Sequence, residues 1–263
     1  MPLPSGRIDL IGLVVSLTVL ASAGPVQAQA ADLRFIVGGS VGNQTATHQR
    51  LETVDFELFH EKGTFDSQYE ISSGWVFDGG GSMRFWRRAG LGVFVSTFRT
   101  TSTATIKAQV PHPHFFGLPR VASGTASSLK RRELAVHVQG QYWLPVRNWL
   151  LLTGFYGPTF FRVQQDQVAG IQTAEEFPFE QVVMVGHSAV TASKTTIGYN
   201  IGFEATFLDL NDASEPDTIL DRLGLAFQLR YSRGTSPVQL KGSDQPALEL
   251  GGLHVMGGIR VGF

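Results

Sequence analysis

Histidines are the side chains whose spacing in this sequence could support metal binding or catalysis. His112 and His114 stand two positions apart in a Pro-His-Pro-His run, so their imidazoles could share a metal ion. No third ligand is evident nearby, and the prolines favour a stiff, extended segment. His187 and Ser188 combine a base with a nucleophile, but adjacent residues of an extended segment point to opposite faces. Neither arrangement predicts a metal site or a catalytic site.

Carboxylates are concentrated in one connection, which holds Asp209, Asn211, Asp212, Glu215, Asp217 and Asp221. Their spacing does not match a twelve-residue calcium loop, which needs a glycine and a terminal glutamate at fixed positions. We therefore expect a solvated acidic loop. The chain contains no cysteine, which excludes disulfides, thiolate metal sites and cysteine nucleophiles. We predict no catalytic residues, no metal and no cofactor.

The composition of the 263-residue chain differs from that of a soluble domain. Charged residues make up 16% of the chain, whereas about a quarter is usual. Glycine contributes 30 residues and aromatic side chains contribute 11%. The net charge of -1 gives no electrostatic reason to expect a nucleic acid as partner. This mixture needs a specific structural cause.

The first 30 residues have the pattern of a cleavable export signal. Arg7 precedes an apolar stretch from Leu10 to Ala23, and Ala28-Gln29-Ala30 forms a small-residue cleavage site. No later stretch is apolar over the ~20 residues that a membrane-spanning helix needs. We predict a signal peptide at residues 1–30 and one domain at residues 31–263.

The rest of the sequence alternates apolar and polar residues, which is the period of β-strands. The pattern predicts eight main strands at about 33–43, 68–87, 90–103, 131–144, 149–165, 194–208, 222–234 and 248–263. Long polar connections are expected at about 100–130, 165–193 and 234–247. Val54, Phe56 and Leu58 indicate an additional strand pair, which would raise the number to ten if residues 51–61 pair inside the barrel.

Two all-β architectures fit an alternating sequence, a soluble sandwich and a transmembrane barrel. A sandwich wets its outer face, which should then carry Lys, Glu, Thr and Ser. Here the polar face is rich in Gly, Gln and Ser, and the apolar face carries large aromatic residues over lengths that match a membrane-spanning strand. Because lipid cannot satisfy an open edge, we predict a closed, antiparallel, up-and-down barrel. The residues expected in its interfacial girdles are Trp75, Tyr142, Trp149, Tyr199 and Tyr231.

With an export signal, eight alternating strands and a last strand that reads LHVMGGIRVGF, the sequence resembles the small OmpA-type outer-membrane β-barrels of Gram-negative bacteria. The resemblance implies a location in the outer-membrane bilayer. In that family a C-terminal aromatic residue, preceded by apolar residues at alternate positions, is read by the barrel-assembly machinery. Val255, Ile259, Val261 and Phe263 match this signal, and Gly257 interrupts it. The activities of family members differ too widely to be transferred.

The interior of an eight-stranded barrel is narrow enough to be filled by side chains. Charged and imidazole side chains of the inward parity are Arg84, Glu133, His137, Arg162, Lys194, Glu204, Arg230, His254 and Arg260. Isolated charges are costly to bury, so we expect a paired network of Arg84, Glu133, His137, Glu204, Arg230 and Arg260 that closes the lumen. In it Glu204 should bridge Arg84 and Arg260, and Glu133 should pair with Arg230.

These features predict a non-enzymatic outer-membrane protein with a largely plugged polar lumen. It would serve as a structural scaffold whose extracellular loops form an interaction surface, with the partner undefined. The alternative is a narrow channel or transporter for small or hydrophobic solutes, with an apolar groove near Phe94, Phe98, Tyr156 and Phe160. A lipid-modifying enzyme is less favoured, because it requires a Ser or Asp beside a His on the outward surface.

Overall fold

The computed structural model describes residues 34–45, 48–147, 149–208, 223–236 and 248–263. The predicted signal peptide at 1–30 and the acidic connection at 209–221 lie outside these ranges. The described residues form ten strands: β1 (Phe35–Thr45), β2 (His48–Leu58), β3 (Glu61–Ile71), β4 (Gly74–Trp86), β5 (Ala89–Val110), β6 (Arg120–Arg147), β7 (Leu150–Glu175), β8 (Val182–Leu208), β9 (Leu223–Ser236) and β10 (Leu248–Gly262). Within these ranges, no helix is both long and apolar enough to cross a membrane.

Eight of the strands close into a ring, which confirms the predicted antiparallel barrel. The ring runs in the order β1, β4, β5, β6, β7, β8, β9 and β10, and β10 returns to β1. This last pairing places Ile36 opposite Gly262 and Thr45 opposite Leu253. Every backbone edge in the membrane-spanning part therefore has a partner, as a strand in lipid requires.

The other two strands, β2 and β3, form a hairpin outside the ring. Its two-residue turn consists of Phe59 and His60, whose positive φ values of 55° and 61° suit a tight hairpin turn. β3 pairs with residues 103–109 of β5, beyond the stretch of β5 that pairs with β4. The main prediction of eight barrel strands is therefore confirmed, and the alternative of ten barrel strands was wrong, because the extra pair does not enter the barrel wall.

Two predicted boundaries were wrong. The single strand expected at 68–87 is divided after Ile71 into the end of β3 and the whole of β4. The polar connections expected at about 100–130 and 165–193 are largely strand, since β5 to β8 run for 22 to 28 residues. Polar Thr, Ser and Lys alternate there with inward Ala and Ile, so the outward polar residues concealed a strand period.

The outward face of the ring carries large apolar side chains, and none of the described residues packs closely over them. Phe77, Phe203, Phe227 and Ile259 are each about half exposed. The five predicted girdle residues also lie on the exterior, where Trp149 stacks on Phe207 with ring centroids 6.0 Å apart. This exterior is suited to hydrocarbon with an aromatic belt at its borders.

Beyond one rim of the ring, the long strands and the hairpin build a separate layer that we call the head: residues 48–71, 102–130 and 165–194. Arg50, Glu52, Ser67 and Gln167 are buried in it, but its main buried cluster is apolar and consists of Phe65, Tyr69, Ala104, Ile106, Ala108, Val110, Ala122, Ala126, Leu129, Val168 and Val182. Val54, Phe56 and Leu58 of β2 pack against this core. The head is thus built like a water-soluble β-structure, with the apolar side chains inside.

Candidate functional site

The lumen of the ring is the main concentration of buried charge among the described residues. Its pair nearest the short turns joins Arg260 to Glu204, with Arg260 Nε 2.9 Å from Glu204 Oε1 and Nη2 2.5 Å from Oε2. The hydroxyl of Thr206 donates to Glu204 Oε1 at 3.0 Å. Gly38 leaves space for this guanidinium, because a Cβ at that position would lie 2.8 Å from Arg260 Cδ. The carboxylate is therefore both paired and further hydrogen-bonded, as burial requires.

A second pair crosses the middle of the lumen. Arg230 on β9 donates from Nη1 to Asp78 Oδ2 at 2.7 Å and from Nη2 to Oδ1 at 3.3 Å. β10 and β1 separate these two strands in the ring, and both side chains are 0% exposed. The Arg230 guanidinium also lies 5.8 Å from the Phe94 ring and 5.7 Å from the Phe155 ring. This two-point guanidinium–carboxylate contact is a strong geometry that fixes the two walls relative to each other.

The third pair lies toward the head and joins neighbours on one strand. Arg131 Nε donates to Glu133 Oε1 at 2.7 Å, and Arg131 Nη2 donates to the Glu249 carbonyl at 2.8 Å. Glu133 Oε2 accepts the Gly251 amide at 3.2 Å. The φ of Gly251 is 81°, a backbone conformation that glycine adopts without strain. The backbone of β10 thereby supplies a hydrogen bond to the second oxygen of the carboxylate.

Neutral polar side chains fill the space between the pairs. His137 lies 2.9 Å from Ser96 Oγ through Nε2 and 2.9 Å from Thr159 Oγ1 through Nδ1. Asn200 donates to Thr159 Oγ1 at 2.9 Å and accepts from Gln139 Nε2 at 2.9 Å. The arrangement ties four ring strands together with buried hydrogen bonds, which rigidify an interior when they are satisfied.

The structure unites some of the predicted network and divides the rest. Glu204 meets Arg260, but Arg84 lies apart, with its guanidinium 5.9 Å from the Trp143 ring. Glu133 binds Arg131, and Arg230 binds Asp78, so the expected pair of Glu133 with Arg230 was wrong. Each carboxylate meets the guanidinium that strand register brings nearest. Parity alone does not supply register.

Two other assignments to the lumen were wrong, and two members of the network were overlooked. Arg162 and Lys194 are exposed, because Arg162 has the outward parity of β7 and Lys194 lies on β8 where it borders the head. Asp78 and Arg131 were overlooked, although Asp78 shares the parity of Arg84 and Arg131 that of Glu133. Listing every charged residue of the inward parity would have found both.

The space left in the lumen is small. One void near the Arg260–Glu204 pair offers about 10 Å³ to the centre of a water molecule, which is room for about one water. Its lining consists of Ile36, Ser82, Phe94, Gln141, Thr153, Phe155, Glu204, Gln228 and Arg260. Six of these nine residues are polar, so a water in the void would have hydrogen-bond partners.

The histidines form no recognisable catalytic or metal centre in the described part of the chain. Ser96 is within hydrogen-bond distance of His137, but the other imidazole nitrogen meets Thr159 instead of a carboxylate, and all three side chains are buried. His112 Nδ1 accepts the backbone amide of His114 at 3.0 Å. Among the described residues, no group of three His, Asp or Glu side chains is placed to hold a metal ion.

The other nucleophile–base candidate is also without support. His187 pairs with Ile171 and Ser188 with Gly170 in the β7–β8 ladder, so the two side chains leave the strand on opposite sides.

The apolar groove expected for a transporter is likewise divided by the barrel wall. Phe94 and Phe98 are buried inside, whereas Tyr156 and Phe160 are exposed outside.

The residues of the predicted assembly signal lie along the outward face of β10. Val255, Ile259 and Phe263 are exposed, and Val261 is half-buried. The Phe263 carbonyl accepts the backbone amides of Arg34 at 2.8 Å and Phe35 at 3.1 Å. This end of β10 is thus fastened to the start of β1 and displays its apolar side chains outward.

This chain is similar to several solved structures and to one family model. Three solved structures of outer-membrane and surface proteins are similar: Neisserial surface protein A (11% identity, 87% of this chain and 97% of that one, TM-score 0.39), OprG from Pseudomonas aeruginosa (11%, 91% and 99%, 0.43) and Ail, the attachment invasion locus protein of Yersinia pestis (10%, 87% and 99%, 0.35). No curated protein sequence is significantly similar. The model of the family described as outer membrane protein beta-barrel domain matches residues 14–239. The chain therefore belongs to the outer membrane protein beta-barrel domain family, and its ring of strands lies in the outer membrane.

Proposed function

We propose that this protein is a non-enzymatic scaffold, whose ring is closed to solutes and whose head is an interaction surface outside the cell. Barrels of this kind place short turns at the periplasmic rim and long connections outside. The turn at residues 87–88, the end of β6 at Arg147 and the start of β7 at Leu150 lie at the rim opposite the head. The head is accordingly extracellular.

The observation that best supports a closed lumen is the Asp78–Arg230 pair. It crosses the centre of the ring between strands that are not neighbours, and both side chains are fully buried. A solute path through this level would have to separate two desolvated charges, which is strongly unfavourable. The pairs toward either rim, and the void with room for about one water, also support a closed lumen.

Single-channel recording in planar lipid bilayers tests the closed lumen. The wild-type protein should give no large, stable conductance. The double variant Asp78→Ala/Arg230→Ala removes both charges together and opens space at the central level, so it should conduct more than the wild type. Asp55→Ala/Lys62→Ala removes an exposed pair of the head and is the matched control, which should stay silent. Large, stable wild-type conductance would contradict the proposal.

A transporter for small or hydrophobic solutes makes a different prediction from a scaffold. In a liposome-swelling assay the scaffold predicts no solute flux, whereas a transporter predicts flux that depends on solute size. Swelling with the wild-type protein at the rate of the double variant would favour transport.

The head has features of a rigid interaction surface. Arg120 ties its two long connections together, because Nη2 donates to the Pro111 carbonyl at 2.7 Å and Nη1 to the Phe179 carbonyl at 2.8 Å. Beside these bonds Phe116 is 82% exposed and Phe177 is 86% exposed. Exposed aromatic residues on a well-supported loop are typical of recognition surfaces.

An apolar fluorescent dye measures whether these aromatic side chains are available. Proteoliposomes with the head outward should bind bis-ANS, and Phe116→Ser/Phe177→Ser should lower the fluorescence. The matched control is Phe59→Ser in the β2–β3 turn, which should have a smaller effect. Unchanged dye binding in the double variant would show that these two side chains do not form the apolar surface.

We also propose that β10 carries the signal for the barrel-assembly machinery, as the family resemblance implies. Deleting Phe263 should lower the amount of protein in the outer membrane, measured by fractionation. Phe263→Tyr keeps an aromatic ring and should assemble normally. Normal assembly of the truncated chain would remove support for this signal.

A further inference from the structure

Three arginines form a basic cluster on the lipid-facing exterior of neighbouring strands. Arg99 on β5 lies directly opposite Arg132 on β6, and the next outward position of β6, Leu134, lies opposite Arg162 on β7. All three side chains are exposed. The cluster therefore covers the outer surface of three consecutive strands at one height.

The height of the cluster is set by its neighbours. Trp75 lies directly opposite Arg99 on the other side of β5 and is exposed on the same outer face. On the side toward the short turns, the outward residues of β5 are Thr97 and then Val95, Val93 and Leu91. Tryptophan marks the membrane–water interface, and the distance from the turn to Arg99 matches the ~9–11 residues of a spanning strand. The arginines thus stand where the hydrocarbon ends on the head side.

The carboxylates in the described part of the chain do not neutralise this charge. Like charges directly opposite in a ladder destabilise a sheet, yet no carboxylate of the described residues forms an ion pair with Arg99, Arg132 or Arg162. Asp166, further along β7, accepts the Lys130 backbone amide at 3.0 Å and the Thr191 hydroxyl at 2.6 Å. By contrast, Arg233 on the outer face of β9 binds Glu249 at 2.7 Å.

We propose that Arg99, Arg132 and Arg162 form a binding site for the phosphate groups of an anionic lipid in the outer leaflet. This assignment to the outer leaflet rests on the orientation proposed above, with the head outside the cell. Guanidinium groups bind phosphate oxygens through two parallel N–H donors, and they can lie at the interface while their stems contact hydrocarbon. Phosphates placed between the three side chains would relieve their mutual repulsion, and Trp75 would pack beside the lipid at the same height.

Native mass spectrometry of the protein in a neutral detergent tests the site without reference to orientation or conductance. The probe is lipid A with two phosphates, compared with the same glycolipid without phosphates and with inorganic phosphate. We expect the triple variant Arg99→Gln/Arg132→Gln/Arg162→Gln to bind the phosphorylated lipid at least about tenfold more weakly than the wild type, since charged hydrogen bonds are lost. The triple Lys variant keeps the charge but loses the planar fork, and should fall between the two.

The matched control is Arg34→Gln/Arg87→Gln/Arg147→Gln, which removes the same charge at the opposite rim and should bind the lipid nearly as the wild type does. An equal loss in this control would overturn the site in favour of nonspecific attraction. Equal wild-type affinity for the dephosphorylated lipid would overturn the role of phosphate. If inorganic phosphate bound as tightly as the lipid, the ligand of the site would be a free anion and the lipid assignment would be overturned. Unchanged thermal unfolding of each variant in detergent shows that the barrel is intact.

Discussion

The membrane ring and the head are built from the same strands but place their apolar side chains on opposite faces. On β5 the outward residues Leu91, Val93 and Val95 are apolar, whereas beyond Arg99 the outward residues are polar. The inward residues Ala104, Ile106, Ala108 and Val110 then become uniformly small or apolar. The strand keeps one inward parity throughout, so the surroundings alone account for the reversal.

The difference shows that two sources of stability meet within one sheet. Removal of apolar surface from water stabilises the head. In the ring, hydrocarbon already surrounds the apolar exterior, and the interior depends on polar groups that satisfy one another. The Arg131–Glu133 pair stands near the boundary between the lumen and the head. Substitutions of one chemical type should therefore change stability by different amounts in the two regions.

The largest expected effect comes from breaking the central ion pair. Asp78→Ala leaves Arg230 buried without its carboxylate and should lower the free energy of unfolding by about 3–5 kcal/mol. Asp55→Ala removes an ion pair of the head whose partner Lys62 is mostly exposed, and should cost less than about 1 kcal/mol. Urea-induced unfolding in lipid vesicles measures both. Similar losses would mean that the two regions do not differ in this respect.

The second-largest difference in stability between the ring and the head should come from a charge placed on the outer face. Phe227→Arg places a guanidinium against hydrocarbon and should destabilise the ring by roughly 2–4 kcal/mol, and Val261→Arg should do so by less because it lies nearer the rim. Val121→Arg puts the same charge on the exposed outer face of the head and should change stability by less than about 0.5 kcal/mol. A neutral Phe227→Arg variant would show that this face does not meet lipid.

Tyr69 places a polar group within the apolar core of the head. The Tyr69 hydroxyl accepts the Val168 amide at 2.9 Å and joins β3 to β7 across the apolar core. Tyr69→Phe leaves that amide buried without this partner and should lower stability by about 1–3 kcal/mol. Tyr142→Phe, on the exterior of the ring, is the control and should have little effect. Equal effects of the two substitutions would show that this bond does not support the head.

The smallest effect is a dependence on alkaline pH. Burial, followed by the negative charge of Glu52, raises the pKa of Tyr69 above its usual value of 10.0. The folded head therefore retains the phenol proton more tightly than the unfolded chain does. The resulting stability is present below pH 10 and is lost as the pH rises above that value toward the folded-state pKa.

Urea unfolding at pH 9, 10 and 11 should show this loss as a difference between the wild type and Tyr69→Phe. The advantage of the wild type should shrink by up to about 1.4 kcal/mol per pH unit above pH 10. Taking the difference removes the titration of other groups, which the two proteins share. A constant difference across this range would contradict a buried, protonated Tyr69.

The sequence predicts the ring well because each of its strands has hydrocarbon on one face and a polar interior on the other. Phe227, Leu229 and Tyr231 alternate with Ala226, Gln228 and Arg230, and this alternation can be seen in the sequence alone. The head was interpreted as loops because Thr103, Thr105 and Lys107 are outward and polar. Their inward partners are small residues, whose weak apolar signal appears only when the facing core is known.

The lumen was predictable in kind and not in its pairing. The inward parity of Glu204 and Arg260 indicated a buried pair, and these two side chains do meet. The pairing of Arg230 with Asp78 depends on the stagger of strands that are not neighbours in the ring. Stagger is a property of the closed barrel as a whole, so no local pattern contains it.

The contact of β1 with β10 has a consequence for how the protein reaches its folded form. Ile36 must find Gly262, the longest separation in the ring, and this pairing is the step that removes the last two open edges. Every earlier intermediate would expose unpaired amides and carbonyls to hydrocarbon. Contacts so distant in sequence form slowly. Folding in lipid should therefore be limited by one late event, the meeting of the first and last strands of the ring.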